Sequence, residues 1–188
     1  MGTAQFLFSL SAVGNTGVSF AGVNSKTVHM TTIEDVIRIA VNAHEGQKDM
    51  VGNPAIAHVL AVGLMGKNEW EQKAGFLHDV VEDTEMSIAD LRERGVEEDV
   101  LAAVDLLTHR DGVSYEDYVK GIVFSENETA IQVKLNDLHQ NLWRAKMAVE
   151  TFQPDTKERK AVLDEILDIA VKHDKAEQFI QDAIRPRP

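Results

Sequence analysis

The chain has 188 residues, 44% of them hydrophobic, which is enough apolar material for one core and makes a single compact domain the expectation. Its 31 acidic and 19 basic residues give a net charge of −12, which repels a phosphate backbone and excludes nucleic acid as a general partner. With no cysteine, disulfides, thiolate nucleophiles and cysteine-based zinc sites are excluded, and any metal must be held by His and carboxylate groups.

Residues 1–30 contain no acidic residue and one basic one, Lys26, and differ in composition from all that follows. The segment reads as a leader, appended or flexible, with His29-Met30 resembling a cloning junction; a β-hairpin or an extended arm stays open, and no function is assigned to it. No apolar run reaches the roughly 18–20 residues of a membrane-spanning helix, so the expectation is a soluble, cytoplasmic protein with no membrane partner.

From Thr32 the apolar residues recur at helical spacing: Ile33, Val36, Ile37 and Ala40 stand behind a Thr32 cap with Asp35 three positions on. After a turn at Gly52-Asn53, Pro54 stands where a first helical residue would, and the stretch to Met65 is apolar on nearly every face, which predicts a central, buried helix. A third helix is predicted from about 69 to 82, with Trp70, Ala74, Leu77 and Val81 on one stripe. Further helices are expected at about 88–94, 97–107, from Ser114 through Ile122, 128–145, 155–172 and 174–184. No alternation of strand type follows residue 30, so the fold class is all-α, a helical bundle of about eight helices.

Within these apolar helices the polar residues stand out. His58 is the only ionisable residue between Pro54 and Met65, and a buried imidazole needs partners for its nitrogens. A core histidine bonded to a carbonyl is one reading; a ligand is the other. The third helix ends in Leu77-His78-Asp79-Val80-Val81-Glu82-Asp83-Thr84, with Glu82 one turn beyond His78 and Asp83 one turn beyond Asp79. Asp79 and Asp83 destabilise one another unless a proton or a cation lies between them, and a divalent metal resolves the conflict; a solvated acidic helix end is the bland alternative. Lys134, Asp137 and Asn141, spaced by three and four, share a helix face that is either polar lining or ordinary solvent face.

The block around His78-Asp79 resembles the signature of the HD phosphohydrolases, and more narrowly the hydrolase domain of the RelA/SpoT alarmone enzymes. The supporting pieces stand in that family's order: Ala43-His44-Glu45-Gly46-Gln47, Gly52-Asn53-Pro54 leading to His58, the His-Asp block, and Lys134-Leu135-Asn136-Asp137 with Asn141. They span about residues 32–145, so the domain is expected over 31–188. By position, the resemblance implies that His58, His78, Asp79 and Asp137 hold one divalent metal, most often manganese in the family, with iron, zinc and magnesium as alternatives. It implies that Glu82 and Asp83 handle the attacking water, and that Asn141 and Lys134 line the pocket of a small phosphorylated nucleotide. Lys48 and Arg110 complete the expected substrate contacts; His44 either orients a ligand or bonds a carbonyl, and Tyr115 and Tyr118 are expected to pack.

The implied activity is metal-dependent hydrolysis of a nucleotide or nucleoside pyrophosphate, guanosine 3′-pyrophosphate alarmones among them. The alternative is a non-catalytic HD module that keeps the metal and binds a nucleotide or partner protein. Two family positions that hold the guanine, usually Arg and Tyr, are here Asp49 and Ala55. Val59 replaces a usual Pro, and the last motif reads Asp137-Leu138-His139-Gln140-Asn141, forms shared with small uncharacterised bacterial HD proteins. A homo-oligomer stays open.

Overall fold

The computed structural model describes residues 30–152 and 155–186, so the expected leader lies outside the described residues except for Met30. Nine helical segments and no strand occur among them: α1 (Ile33–Ala43), α2 (Ile56–Leu64), α3 (Glu69–Leu77), α4 (Val80–Asp83), α5 (Ile88–Glu93), α6 (Glu98–Leu107), α7 (Tyr115–Phe124), α8 (Glu128–Thr151) and α9 (Lys157–Ile184). No described helix is long and apolar enough to cross a membrane.

Local chemistry sets most of the starts. Thr32 with Asp35 and Ser87 with Asp90 form capping boxes, and Asn68, Ser114, Asn127 and Thr156 each accept a backbone N–H with a side-chain oxygen. Three expectations needed correction. Pro54 does not open α2; it pairs with Lys48 in an isolated antiparallel bridge, and Asp49 accepts the backbone N–H groups of Val51 and Asn53, so the connection is stapled as a loop. The expected third helix stops at Leu77 and resumes at Val80; His78 and Asp79 form a right-handed turn between the two pieces, and the His78 ring donates to the Gly75 carbonyl. The last two expected helices are one, since nothing around His173 interrupts the hydrogen-bond ladder of α9.

Helix α3 is the central member, packed against α1, α2, α6 and α8. Its Ala74, Phe76 and Leu77 are fully buried. The approach of α2 to α3 is close enough to need glycine on both sides: a Cβ on Gly63 would sit 2.2 Å from the Phe76 ring, and one on Gly75 would sit 2.8 Å from the Gly63 Cα. Backbone contact at this point carries His58, on α2, and His78, just past α3, toward the same volume. Helix α8 crosses α2 and α3, and α9 lies along α8.

Candidate active site

His58, His78 and Asp137 are buried, and Asp79 is about a quarter exposed. The Nε2 atoms of His58 and His78 stand 3.3 Å apart. Asp79 Oδ1 lies 3.0 Å from His78 Nε2, and Asp137 Oδ1 lies 3.1 Å from His58 Nε2 and 3.8 Å from His78 Nε2. His58, His78 and Asp79 each offer one ligand atom within 4.8 Å of the others. Asp137 falls outside that tight trio and bonds more widely, accepting from Lys134 at 2.8 Å and from Asn141 at 2.6 Å.

The far side of each ring decides what faces the centre. His78 Nδ1 lies 2.8 Å from the Gly75 carbonyl, which can only accept, so Nδ1 carries the proton and Nε2 a lone pair. His58 Nδ1 donates in the same way to Gln140 Oε1 at 3.0 Å. Two lone pairs and two carboxylates thus converge, with Lys134 and Asn141 donating to Asp137 alone, and the repulsion that remains is relieved by a cation or a proton. Where a proton does so, burial opposes the charge but Asp79 and Asp137 overcome it, and the His78 imidazole is pushed up to about 9. The donor set, two imidazoles and two carboxylates with oriented rings, fits a divalent ion of borderline or hard character.

The acids of α4 flank this point. Burial first, then the negative charge of Asp79, raises the Asp83 carboxyl above the usual range, and burial with both aspartates raises Glu82. Glu82 accepts the His109 backbone N–H at 2.8 Å, and Gln47 donates to the Asp83 carbonyl at 2.9 Å while accepting from His44 Nδ1. That leaves His44 Nε2 buried without a partner among the described residues. Lys134 is held as an ammonium: burial disfavours the charge, but Asp137 outweighs it, and the group lies over the rings of Tyr115 and Tyr118 at 5.7 and 5.1 Å.

Two chambers meet at the cluster. A polar inner one of about 280 Å³ includes His58, His78, Asp137, Lys134 and Tyr115 in its lining. A larger one of about 540 Å³ extends past Asp79, Asp83 and Lys48 to an apolar wall of Val59, Ala145, Ile166 and Ile169. Among the substrate contacts expected from sequence, Asn141 lines both chambers, Lys134 the inner and Lys48 the outer. Arg110 is not brought there; it pairs with Asp105 on an exposed loop beside a separate hollow.

Sequence reasoning missed Gln140, Arg144 and His173. Gln140 and Arg144 lie three and seven residues beyond Asp137 on one face of α8, so helical spacing could have found them. His173 lies on α9 and lines both chambers, with no local signal in its own segment. Asp49, at a position where the family usually has Arg, is paired with Arg144 at 2.7 Å.

No protein-family model matches the chain. A guanosine-3′,5′-bis(diphosphate) 3′-pyrophosphohydrolase of Aquifex aeolicus is 31% identical over 144 residues, 66% of this chain and 20% of that protein. A GTP pyrophosphokinase of Streptomyces coelicolor is 31% identical over 128 residues, 62% of this chain and 15% of that one. The chain therefore spans a fifth or less of the length of these relatives. A solved structure of a metazoan ortholog of SpoT, which hydrolyzes ppGpp, aligns with a TM-score of 0.54 at 23% identity, over 80% of this chain and 93% of that one. The chain is thus similar to RelA/SpoT-type proteins over about two thirds of its length and shares its fold with the metazoan SpoT ortholog. The motifs that carry the resemblance are the ones that surround the two chambers.

Proposed function

We propose that this chain is a metal-dependent phosphohydrolase that cleaves a phosphoric ester of a nucleotide or nucleoside pyrophosphate, with guanosine 3′-pyrophosphate alarmones as the first substrates to test. One observation carries the reading: two imidazole lone pairs and two carboxylates meet where a polar chamber opens beside a larger one. His58, His78, Asp79 and Asp137 would hold one divalent ion, manganese first, then iron, zinc or magnesium. Such an ion, when bound, lowers the pKa of a water and withdraws charge from a phosphoryl oxygen.

The chain's own groups do the rest. Asp83, made more basic by burial and by Asp79, takes the proton of the attacking water as its oxygen bonds to phosphorus; the ester P–O bond breaks, and the leaving oxygen takes up that proton to depart as the alcohol. Glu82, fixed by the His109 N–H, orients that water. Lys134 holds Asp137 in place and supplies positive charge to the inner chamber, while Asn141 and Lys48 contact the substrate along the outer one. The apolar wall suits a nucleoside. Residues 31–188 act as one HD domain in this reading, and a nucleotide substrate fits a cytoplasmic enzyme.

The test is metal analysis of the purified chain, with hydrolysis of guanosine 3′,5′-bis(diphosphate) and of nucleoside mono- and triphosphates measured with chelator and with added manganese. About one ion per chain is expected, with activity lost to chelator and restored by manganese. Bound metal without hydrolysis of any of these would favour the non-catalytic module; hydrolysis indifferent to chelator would remove the metal from the mechanism.

A further inference from the structure

Asp49 and Arg144 are 95 residues apart in sequence and meet across the outer chamber. Asp49 Oδ1 accepts the N–H groups of Val51 and Asn53 at 3.0 and 2.8 Å, and Oδ2 accepts from Arg144 at 2.7 Å. Arg144 also faces Asn141 Oδ1 at 3.5 Å, and Asn141 donates to Asp137, so one polar chain links the His-Asp cluster to the 49–53 loop. A guanidinium has five N–H groups; Asp49 and Asn141 take two, and three remain.

Arg144 lines both chambers. The outer chamber is otherwise rich in acid, with Asp49, Asp79 and Asp83 in its wall, so an anionic group entering it needs a cation. Lys134 is committed to Asp137 and lines the inner chamber, and Lys48 is exposed on the loop. Of the two basic side chains that line the outer chamber among the described residues, Arg144 is the one held in a fixed direction, because its anchor is itself fixed by two backbone donors. Against burial, those donors and Arg144 keep the Asp49 carboxyl below the usual range, so the anchor stays charged.

We propose that Arg144, aimed by Asp49, is an anion subsite that receives a phosphoryl group of the substrate other than the one attacked at the His-Asp cluster. The proposal rests on the phosphohydrolase reading and makes Arg144 a specificity-determining residue: it favours nucleotides phosphorylated at two separated positions over those with one.

The test is calorimetric titration of the full chain loaded with manganese, using two probes: inorganic pyrophosphate, small enough for the cluster alone, and guanosine 3′,5′-bisphosphate. Arg144→Ala is expected to weaken the bisphosphate about 10- to 100-fold, the effect of one charge-assisted contact, and pyrophosphate less than about twofold. Asp49→Asn is expected to weaken the bisphosphate several-fold by freeing the guanidinium. Arg144→Lys, expected between wild type and alanine, carries the same comparison if the alanine variant loses its fold. Equal loss of both probes, unchanged bisphosphate binding, or failure of the wild type to bind the bisphosphate would each overturn the subsite. If the two probes separate as expected but nothing is hydrolysed, the activity fails and the subsite stands; hydrolysis with bisphosphate binding unaltered by Arg144→Ala is the reverse.

Discussion

Lys73 and Lys134 are both buried, but the first closes its surroundings and the second leaves them open. Lys73, on α3, donates to Glu69 at 2.7 Å and Glu97 at 2.6 Å, and the other Glu97 oxygen accepts from Thr31, so each charge meets its complement. Lys134, on α8, meets Asp137, whose other oxygen is turned toward two imidazole lone pairs, and the whole group lines a chamber. Burial of charge therefore does not mark a site. Convergence of like partners, which needs something from outside to resolve it, does.

The sharpest way to break this comparison is to delete one partner of each. Asp137→Ala is expected to abolish metal retention and lower kcat by at least about 10⁴-fold, read by metal analysis and phosphate release; retained metal would remove Asp137 from the ligand set. Asp83→Asn should keep the metal and lower kcat by about 10²- to 10⁴-fold, with loss of the acid limb of the kcat/KM profile. Because burial and Asp79 raise the Asp83 carboxyl, that limb should lie above the ordinary aspartate value of 3.8 in the wild type. An acid limb unchanged in the Asn variant would assign the base elsewhere.

Lys73→Met leaves Glu97 without its cation and should cost about 3 kcal/mol of stability in urea unfolding, with kcat/KM unchanged in the folded fraction. A large kcat effect there would erase the distinction between the two lysines. A smaller effect tests the cluster without substrate. The His78 pKa of about 9 exceeds its ordinary 6.5, so protonation stabilises the metal-free fold fully below pH 6.5, and the contribution fades as pH rises through about 9. In chelator, Tm should fall over that window, and manganese should remove the fall; a Tm that rises instead would mean the cluster holds no such proton. Smallest of all, Arg110→Ala should change KM less than about twofold, since its partner is Asp105.

Much of this was legible in the sequence where chemistry is local. The caps at Thr32 and Ser114 and the spacing on α8 depend on residues a few positions apart, and the His-Asp block is contiguous. What was not legible depends on the third dimension. The turn at His78-Asp79 accompanies a ring bonding back to Gly75, the Asp49–Arg144 pair comes from a loop meeting a distant helix, and the presence of His173 from the way α9 lies along α8. The uninterrupted α9 was missed because a shift in apolar pattern resembles a break when no neighbour is known.

The glycine contact between α2 and α3 acts as a caliper for the two imidazoles. Since main chain touches main chain there, no rotamer change can widen the gap, and any side chain at Gly63 must move a whole helix or the Phe76 ring. Gly63→Ala is thus a one-atom shim whose effect would be read some distance away, in how tightly a cation is gripped. A residue that bears no functional group at all thereby bears on the spacing of His58 and His78.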